Sequence, residues 1–312
     1  MRQPSRDHGG GLDAAIAHYG GTRSSWLDLS TGINPVPYPM PKLSADAWTA
    51  LPDEGALHLL LDRARSYWGV PKEAGVLAAP GASALIAQIP RLVRAGRVAI
   101  PGPTYNEHGA AFRNAGWKLD DNGMDAFVAV HPNNPDGVMW DEKILQAPLT
   151  VIDESFCDVT PDASLIHLAA RKGTIVLKSF GKFWGLAGMR LGFAFGDPDL
   201  LAELSETLGP WAVSGPAIQI GAEALADPQW ADDARARLTI DANRLDSLLL
   251  GQGAKVVGGT TLFRLYEVDN AKAAQDMLAQ KHVWSRVFPY ADNWIRLGLP
   301  HPLRWGQLEG AF

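Results

Sequence analysis

Short, near-continuous apolar runs that stop abruptly at polar or glycine-rich loops recur through the first two thirds of the chain. Val76–Ala79 stops at Pro80-Gly81-Ala82-Ser83, and Arg97–Ile100 stops at Pro101-Gly102-Pro103-Thr104-Tyr105. Ala126–Val130 runs into His131-Pro132-Asn133-Asn134-Pro135-Asp136-Gly137, and Leu149–Ile152 into Asp153-Glu154-Ser155-Phe156. Gly173–Leu177 leads to Lys178-Ser179-Phe180-Gly181-Lys182, and Arg190 opens a further run, Leu191–Phe195. Runs without polar alternation, spaced by helical segments, are the pattern of parallel strands buried on both faces. Ligands of such sheets bind at the carboxyl ends of the strands. The polar residues past each run should therefore converge on one sheet edge.

Helical spacing of Leu57, Leu60, Leu61, Ala64 and Trp68 predicts a helix within residues 43–70, with Gly69 past its end. A second apolar helix is expected from Ala84 to Val93, with Pro90 inside it, where proline breaks the hydrogen-bond ladder. After Asp197 the pattern changes. Helices are expected from Gln219 to Ala226, Trp230 to Leu250 and Ala271 to Lys281. Strands are expected around Ala254–Val257, Thr261–Leu265, Val283–Val287 and Trp294–Leu297. The fold class is α/β: a three-layer large domain on a mostly parallel sheet, plus a smaller α/β C-terminal domain. The expected boundaries are an extended N-terminal arm over 1–42, a large domain over 43–205 and a small domain over 206–312. Trp26, Leu27 and Leu29 should dock the arm.

Composition narrows the function classes. With 46% hydrophobic and 20% charged residues in 312, the chain reads as a globular enzyme. A net charge of −6 argues against a general nucleic-acid or anionic-membrane binder. One cysteine, Cys157, excludes an intrachain disulfide and a cysteine-rich zinc site. No window approaches a membrane span, and residues 1–20 do not read as a signal peptide, so a cytoplasmic protein is expected.

Ser179, Lys182 and Arg190 put a hydroxyl, an amine and a guanidinium on one tight loop. An enzyme holding an aldehyde cofactor by its phosphate needs that set: an amine to condense with the aldehyde, and the other two for the phosphate. Gly81, Ala82 and Ser83, a glycine turn opening a helix, are a second candidate phosphate contact. Asp153 can pair with a pyridine nitrogen and keep it protonated, Asn134 can bond the ring hydroxyl, and Tyr105 can stack on the ring. Singly, each is as easily a cap, a turn residue, a core aromatic or a surface ion pair. Their order and strand-end positions meet one chemical requirement together.

With these motifs, and Gly185-Leu186-Ala187-Gly188-x-Arg190-Leu191-Gly192 beside them, nearly the whole chain resembles the fold-type I pyridoxal-phosphate family, aminotransferase class I/II. The resemblance implies pyridoxal 5'-phosphate as cofactor, Lys182 as its covalent anchor and a homodimer. It implies Asp153 and Tyr105 beside the ring, and Gly81, Ala82, Ser83, Asn134, Ser179 and Arg190 as further cofactor contacts. His8-Gly9-Gly10 followed by Leu29-Ser30-Thr31-Gly32-Ile33-Asn34-Pro35 looks like the threonine-phosphate decarboxylase branch of cobalamin biosynthesis. That branch turns L-threonine O-3-phosphate into (R)-1-amino-2-propanol O-2-phosphate and carbon dioxide. By the same resemblance Arg286 and Arg296 should meet the substrate's phosphate and carboxylate, with His8 and Asn34 as further substrate contacts. The alternatives are a histidinol-phosphate-type aminotransferase and a non-catalytic cofactor-binding regulatory module. Two departures stand out: Phe156 and Leu51 occupy places where many relatives carry tyrosine.

Overall fold

A computed structural model describes residues 8–123 and 125–312. The apolar runs form one seven-stranded sheet, in the spatial order Gly75–Ala79, Gly192–Gly196, Thr174–Ser179, Leu149–Asp153, Ala126–Val130, Arg97–Ala99 and Lys118–Leu119. Gly192–Gly196 runs antiparallel to both of its neighbours, and every other pairing is parallel. All five residues of Leu149–Asp153 are buried, as are all five of Gly192–Gly196, which is why neither run alternates in polarity. Val98, Val128, Val151, Ile175 and Leu177 of the sheet share a core with Leu85, Ile86, Phe112, Leu201 and Leu204 from the helices and with Trp117, just before the strand Lys118–Leu119. The parallel strands all end at one edge. The reversed strand begins there, with Ser179 opposite Gly192, so Arg190 reaches the same edge from the other direction.

Two compact units divide the chain. One comprises Pro37–Asn134 and Val138–Asp233 and holds the large sheet. The other comprises the described part of Met1–Val36, with Pro135–Gly137 and Ala234–Phe312. It carries a four-stranded antiparallel sheet in the order Arg286–Phe288, Ala291–Gly298, Phe263–Glu267, Lys255–Thr260. Pro135–Gly137 belongs to it because the Gly259 amide donates to Asp136 O at 2.8 Å. A Cβ on Gly258 would collide with that same carbonyl.

Several elements depart from the sequence expectation. The arm is not simply extended: Leu12–Tyr19 is a helix, and Leu12 and Ala15 pack with Trp26 and Ala279. Trp26 and Leu27 do dock, since Leu27–Asp28 pairs parallel with Val283–Trp284. Residues 1–7 of the expected arm lie outside the described residues. Residues 43–70 hold two helices, Asp46–Thr49 and Glu54–Trp68, split at Leu51-Pro52, where proline bars its predecessor from helical geometry. Gly69 ends the second in the left-handed conformation. Pro90 does not sit inside an α-helix: the helix is Ala82–Gln88, and Pro90 stands in the first turn of a following 3₁₀ segment, Ile89–Arg91, where no donor is needed. The run Val283–Val287 is two strands, Val283–Trp284 and Arg286–Phe288, placed in different sheets with buried Ser285 between them.

Candidate active site

Lys182 stands on a loop that its neighbours immobilise. Phe180, Phe183 and Trp184 are fully buried. Trp184 is stacked between Phe180 at 5.1 Å and Trp230 at 5.2 Å. The Phe180 amide donates to Leu191 O, the Leu186 amide to Phe180 O, and the Gly181 amide to Ser179 Oγ. The apolar side chains thus anchor both sides of Lys182 while the lysine itself is only half-buried.

A second lysine nearby has a different fate. Lys178 is wholly buried, with Glu154 Oε2 at 2.7 Å and Asp158 Oδ1 at 3.4 Å. Burial works against its charge, but the two carboxylates more than compensate and hold the ammonium well above its ordinary range. Lys178 is locked as a cation and is no nucleophile.

Ala82, Ser83, Tyr105, Asn134, Asp153, Phe156, Ser179, Lys182 and Arg190 line one pocket at the sheet edge. All the expected cofactor contacts but Gly81 are in that set. Gly81 has φ +85°, and a Cβ there would run into the Arg190 guanidinium, so the missing side chain lets the arginine lie across the turn. Arg190 itself is left-handed, φ 56°, and its Nη1 donates to Ala187 O at 3.0 Å. An arginine in this conformation is uncommon and fits a position fixed by function. The Tyr105 and Asn134 loops are tied together: Thr104 Oγ1 donates to Asn133 Oδ1 at 2.6 Å, and Asn133 Nδ2 to Pro103 O at 3.0 Å.

Asp153 ends its strand with both oxygens engaged. Oδ1 accepts from Ser155 Oγ at 2.5 Å and from the Ser155 amide at 3.0 Å, and His108 Nε2 lies 2.8 Å from Oδ2. Burial alone would raise this carboxyl; the hydrogen bond and charge of His108, with Ser155, outweigh it and hold Asp153 below the usual carboxylate range. His108 was not singled out by the sequence. Its one signal is its place three residues beyond Tyr105 on the helix Asn106–Asn114.

Beneath the site, His131, Glu154 and Cys157 bring three potential metal-ligand atoms within 4.8 Å. Their valences are committed. The Trp140 amide donates to His131 Nδ1, so Nε2 carries the proton and donates to Ala163 O. Glu154 accepts from Lys178, Ser164 Oγ and the Leu165 amide. Burial pushes the Cys157 thiol up to about 12. The cluster is a structural network.

The four expected substrate contacts all lie in the unit with the antiparallel sheet. Arg286 and Arg296 are direct cross-strand partners. Like charges in that position repel, which favours an anion between or beside them. Arg286 Nη1 donates to His8 O at 2.5 Å, and Arg296 Nη2 to Ser30 O at 2.7 Å. Burial and the Arg286 charge bring Arg296 down to about 10. Asn34 is held elsewhere: its Oδ1 accepts from the Val36 amide at 3.0 Å and from Arg237 Nη2 at 2.6 Å.

Among the described residues no helix is long and apolar enough to cross a membrane. The chain is 38% identical to a threonine-phosphate decarboxylase of Pseudomonas aeruginosa, over 98% of this chain and 96% of that one. It is 40% identical to a threonine-phosphate decarboxylase of Sinorhizobium sp, covering 94% and 92% respectively. A histidinol-phosphate aminotransferase of Sinorhizobium meliloti, solved with pyridoxal-5'-phosphate, superimposes with TM-score 0.84 at 18% identity, covering 97% of this chain and 93% of that one. Residues 118–302 match the aminotransferase class I and II family, and with near full-length identity to such relatives the chain belongs to that family.

Proposed function

We propose that the protein is a pyridoxal-phosphate-dependent threonine-phosphate decarboxylase, forming (R)-1-amino-2-propanol O-2-phosphate and carbon dioxide from L-threonine O-3-phosphate. The product would serve the aminopropanol linker of cobalamin. The observation that carries the reading is the 38–40% identity to two threonine-phosphate decarboxylases over nearly the whole chain.

The pocket suits the cofactor on its own chemistry. A buried carboxylate held anionic by His108 and Ser155 matches a protonated ring nitrogen, and the Arg190 guanidinium lying across the side-chain-free Gly81 turn matches a phosphate. When bound, pyridoxal 5'-phosphate supplies an electrophilic aldehyde and a ring that takes up the electron pair of a broken Cα bond. Lys182 would be the amine that anchors it. Asp153 would keep the ring nitrogen protonated, Tyr105 would pack against the ring, and Asn134 would bond the ring hydroxyl. Ala82, Ser83, Ser179 and Arg190 would hold the phosphate. Arg286 and Arg296 would donate to the substrate's carboxylate and phosphate, with bidentate guanidinium geometry suited to both. His8 and Asn34 complete the substrate set. Lys182 Nζ returns a proton to Cα once carbon dioxide has left.

We assign the working form to a homodimer. Met40, Trp48, Leu51 and Trp211 are all more than half exposed, an apolar load that a second copy would cover. The single cysteine, buried as a free thiol, suits a cytoplasmic setting. Purified protein loaded with cofactor and given threonine phosphate should evolve carbon dioxide and yield aminopropanol phosphate. Amino transfer to a keto acid without gas release would overturn the assignment, and cofactor binding with no product at all would favour a regulatory module.

A further inference from the structure

Each guanidinium of the Arg286–Arg296 pair is held on two sides. The central carbon of the Arg286 guanidinium lies 5.3 Å from the centroid of the Phe288 ring, and that of Arg296 lies 5.0 Å from the Phe263 ring. Both rings are buried, Phe263 completely, so neither swings away from its arginine. One Nη of each arginine also donates to a backbone carbonyl, Arg286 to His8 O and Arg296 to Ser30 O. A planar fork with a ring near its face and a carbonyl at one corner is fixed in orientation as well as in place. Two mobile lysines would supply the same charge. The fixed planes therefore answer to something other than charge.

The chemistry of the substrate supplies the reason. L-Threonine O-3-phosphate carries its phosphate on Cβ, next to the carbon that loses the carboxylate. In the productive reaction the bond from Cα to the carboxylate breaks, its electron pair stays at Cα, carbon dioxide leaves and one proton is added at Cα. The same pair can instead form a Cα–Cβ double bond, and phosphate then departs with the electrons of the Cβ–O bond. Water hydrolyses the unsaturated amine to propanal and ammonia. The side reaction thus turns threonine phosphate and one water into carbon dioxide, propanal, ammonia and inorganic phosphate, with no oxidant or reductant. Phosphate leaves readily only when the Cβ–O bond is aligned with the orbital that holds the pair. Guanidinium charge gives no protection, because it stabilises the charge that develops on a departing phosphate. The protection has to come from orientation.

Resting on the decarboxylase reading above, we propose that the arginine pair sets reaction specificity against phosphate loss, holding the phosphate so that the Cβ–O bond stays out of line with the electron pair at Cα. Phe263 and Phe288 are positioning residues that fix the arginine planes.

The readout is the partition after carbon dioxide has left, which a change in stability or in total rate does not move. Loaded enzyme given threonine phosphate is assayed for carbon dioxide, aminopropanol phosphate, propanal and inorganic phosphate. Wild type should return nearly one aminopropanol phosphate per carbon dioxide. Arg286→Lys and Arg296→Lys keep the charge and lose the fork. Phe288→Leu and Phe263→Leu keep the fork and lose its platform, with Phe288→Met and Phe263→Met as second removals should leucine pack poorly. Propanal and phosphate per carbon dioxide should rise together for the arginine that takes the phosphate and for its own phenylalanine. In the phenylalanine variant the rise should be about 2- to 30-fold, the span a cation–π contact supports. The other arginine and its phenylalanine should lose rate without a change in partition. In protein without cofactor, inorganic phosphate should still raise the thermal midpoint of both phenylalanine variants, whose charge is intact. An unchanged partition in all four variants overturns the proposal. So does a rise split between one arginine and the other's phenylalanine, or a phenylalanine variant that no longer responds to phosphate. Loaded wild type that evolves no carbon dioxide sinks the decarboxylase reading itself, independently of the variants.

Discussion

His108 Nε2 and Asp153 Oδ2 lie 2.8 Å apart, with side chains only 2% and 3% exposed. The two residues are 45 positions apart in sequence, one on the helix that follows the Pro101–Tyr105 loop and one at the end of a central strand. Their contact settles the charge of the carboxylate that faces the pocket.

Replacing His108 by Ala should therefore act through Asp153. A carboxyl whose folded value lies below its unfolded value contributes stability above the unfolded value, and that contribution is lost as pH falls through the folded one. His108→Ala removes the partner and should move the acid edge of stability to higher pH. At neutral pH the loss of this buried hydrogen bond should amount to about 1–3 kcal/mol in denaturant melts. Affinity for pyridoxal phosphate should weaken over the same acid range, as followed by fluorescence titration. An unchanged acid edge would show that Ser155 alone suffices.

Lys178 and Lys182 should fail in opposite ways. Lys178→Met leaves Glu154 and Asp158 buried without their cation and should destabilise the fold by about 3–5 kcal/mol. Lys182→Ala removes a half-buried amine and should leave the thermal midpoint nearly unchanged. It should abolish the near-visible absorbance of the lysine-bound cofactor, which Lys178→Met should keep at permissive temperature.

Gly81→Ala tests the phosphate cradle. The added methyl meets the Arg190 guanidinium, and a backbone at φ 85°, ψ 152°, a region that only glycine adopts readily, adds roughly 1–3 kcal/mol of strain. Affinity for pyridoxal phosphate should drop at least about 10-fold, the equivalent of 1.4 kcal/mol. Affinity for pyridoxal, which lacks the phosphate, should change far less. Equal losses for both ligands would place the damage in the turn rather than the cradle.

The sheet was legible because buried parallel strands advertise themselves as unbroken apolar runs. The run Ala126–Val130 coincides with its strand, and Leu149–Ile152 falls one residue short of its own. Residues lining the pocket were legible because they sit immediately past those runs. His108 was not, since a histidine on a helix reads the same whether its ring faces solvent or a carboxylate 45 residues on. The bond from Arg237 to Asn34 spans 203 residues and leaves no local trace. The overlong helix at 43–70 came from extending a true period, Leu57 to Trp68, back across Pro52. Likewise Ser285 continues an apolar-looking run while the backbone passes from one sheet to another.

Arg296 is where function and stability should part. Burial and the charge of Arg286 hold its value at about 10, below the ordinary range of an arginine. A cation whose folded value is lowered binds its proton less well in the folded state. The folded protein therefore carries a penalty at neutral pH, which eases only as pH climbs through that value toward the unfolded one. An anion brought against the Arg286–Arg296 pair relieves the same penalty without any change of pH. Inorganic phosphate should accordingly raise the thermal midpoint of the wild type in a saturable way. Arg296→Met removes the penalty along with one hydrogen bond to Ser30 O, which is worth about 1 kcal/mol. Its midpoint without phosphate should fall little or rise. Its response to phosphate should vanish, and KM for the phosphorylated substrate should increase by about 100-fold, as expected for a lost charge-assisted contact of about 3 kcal/mol. A variant that is both less stable and still phosphate-responsive would assign Arg296 to the fold and leave anion recognition to Arg286.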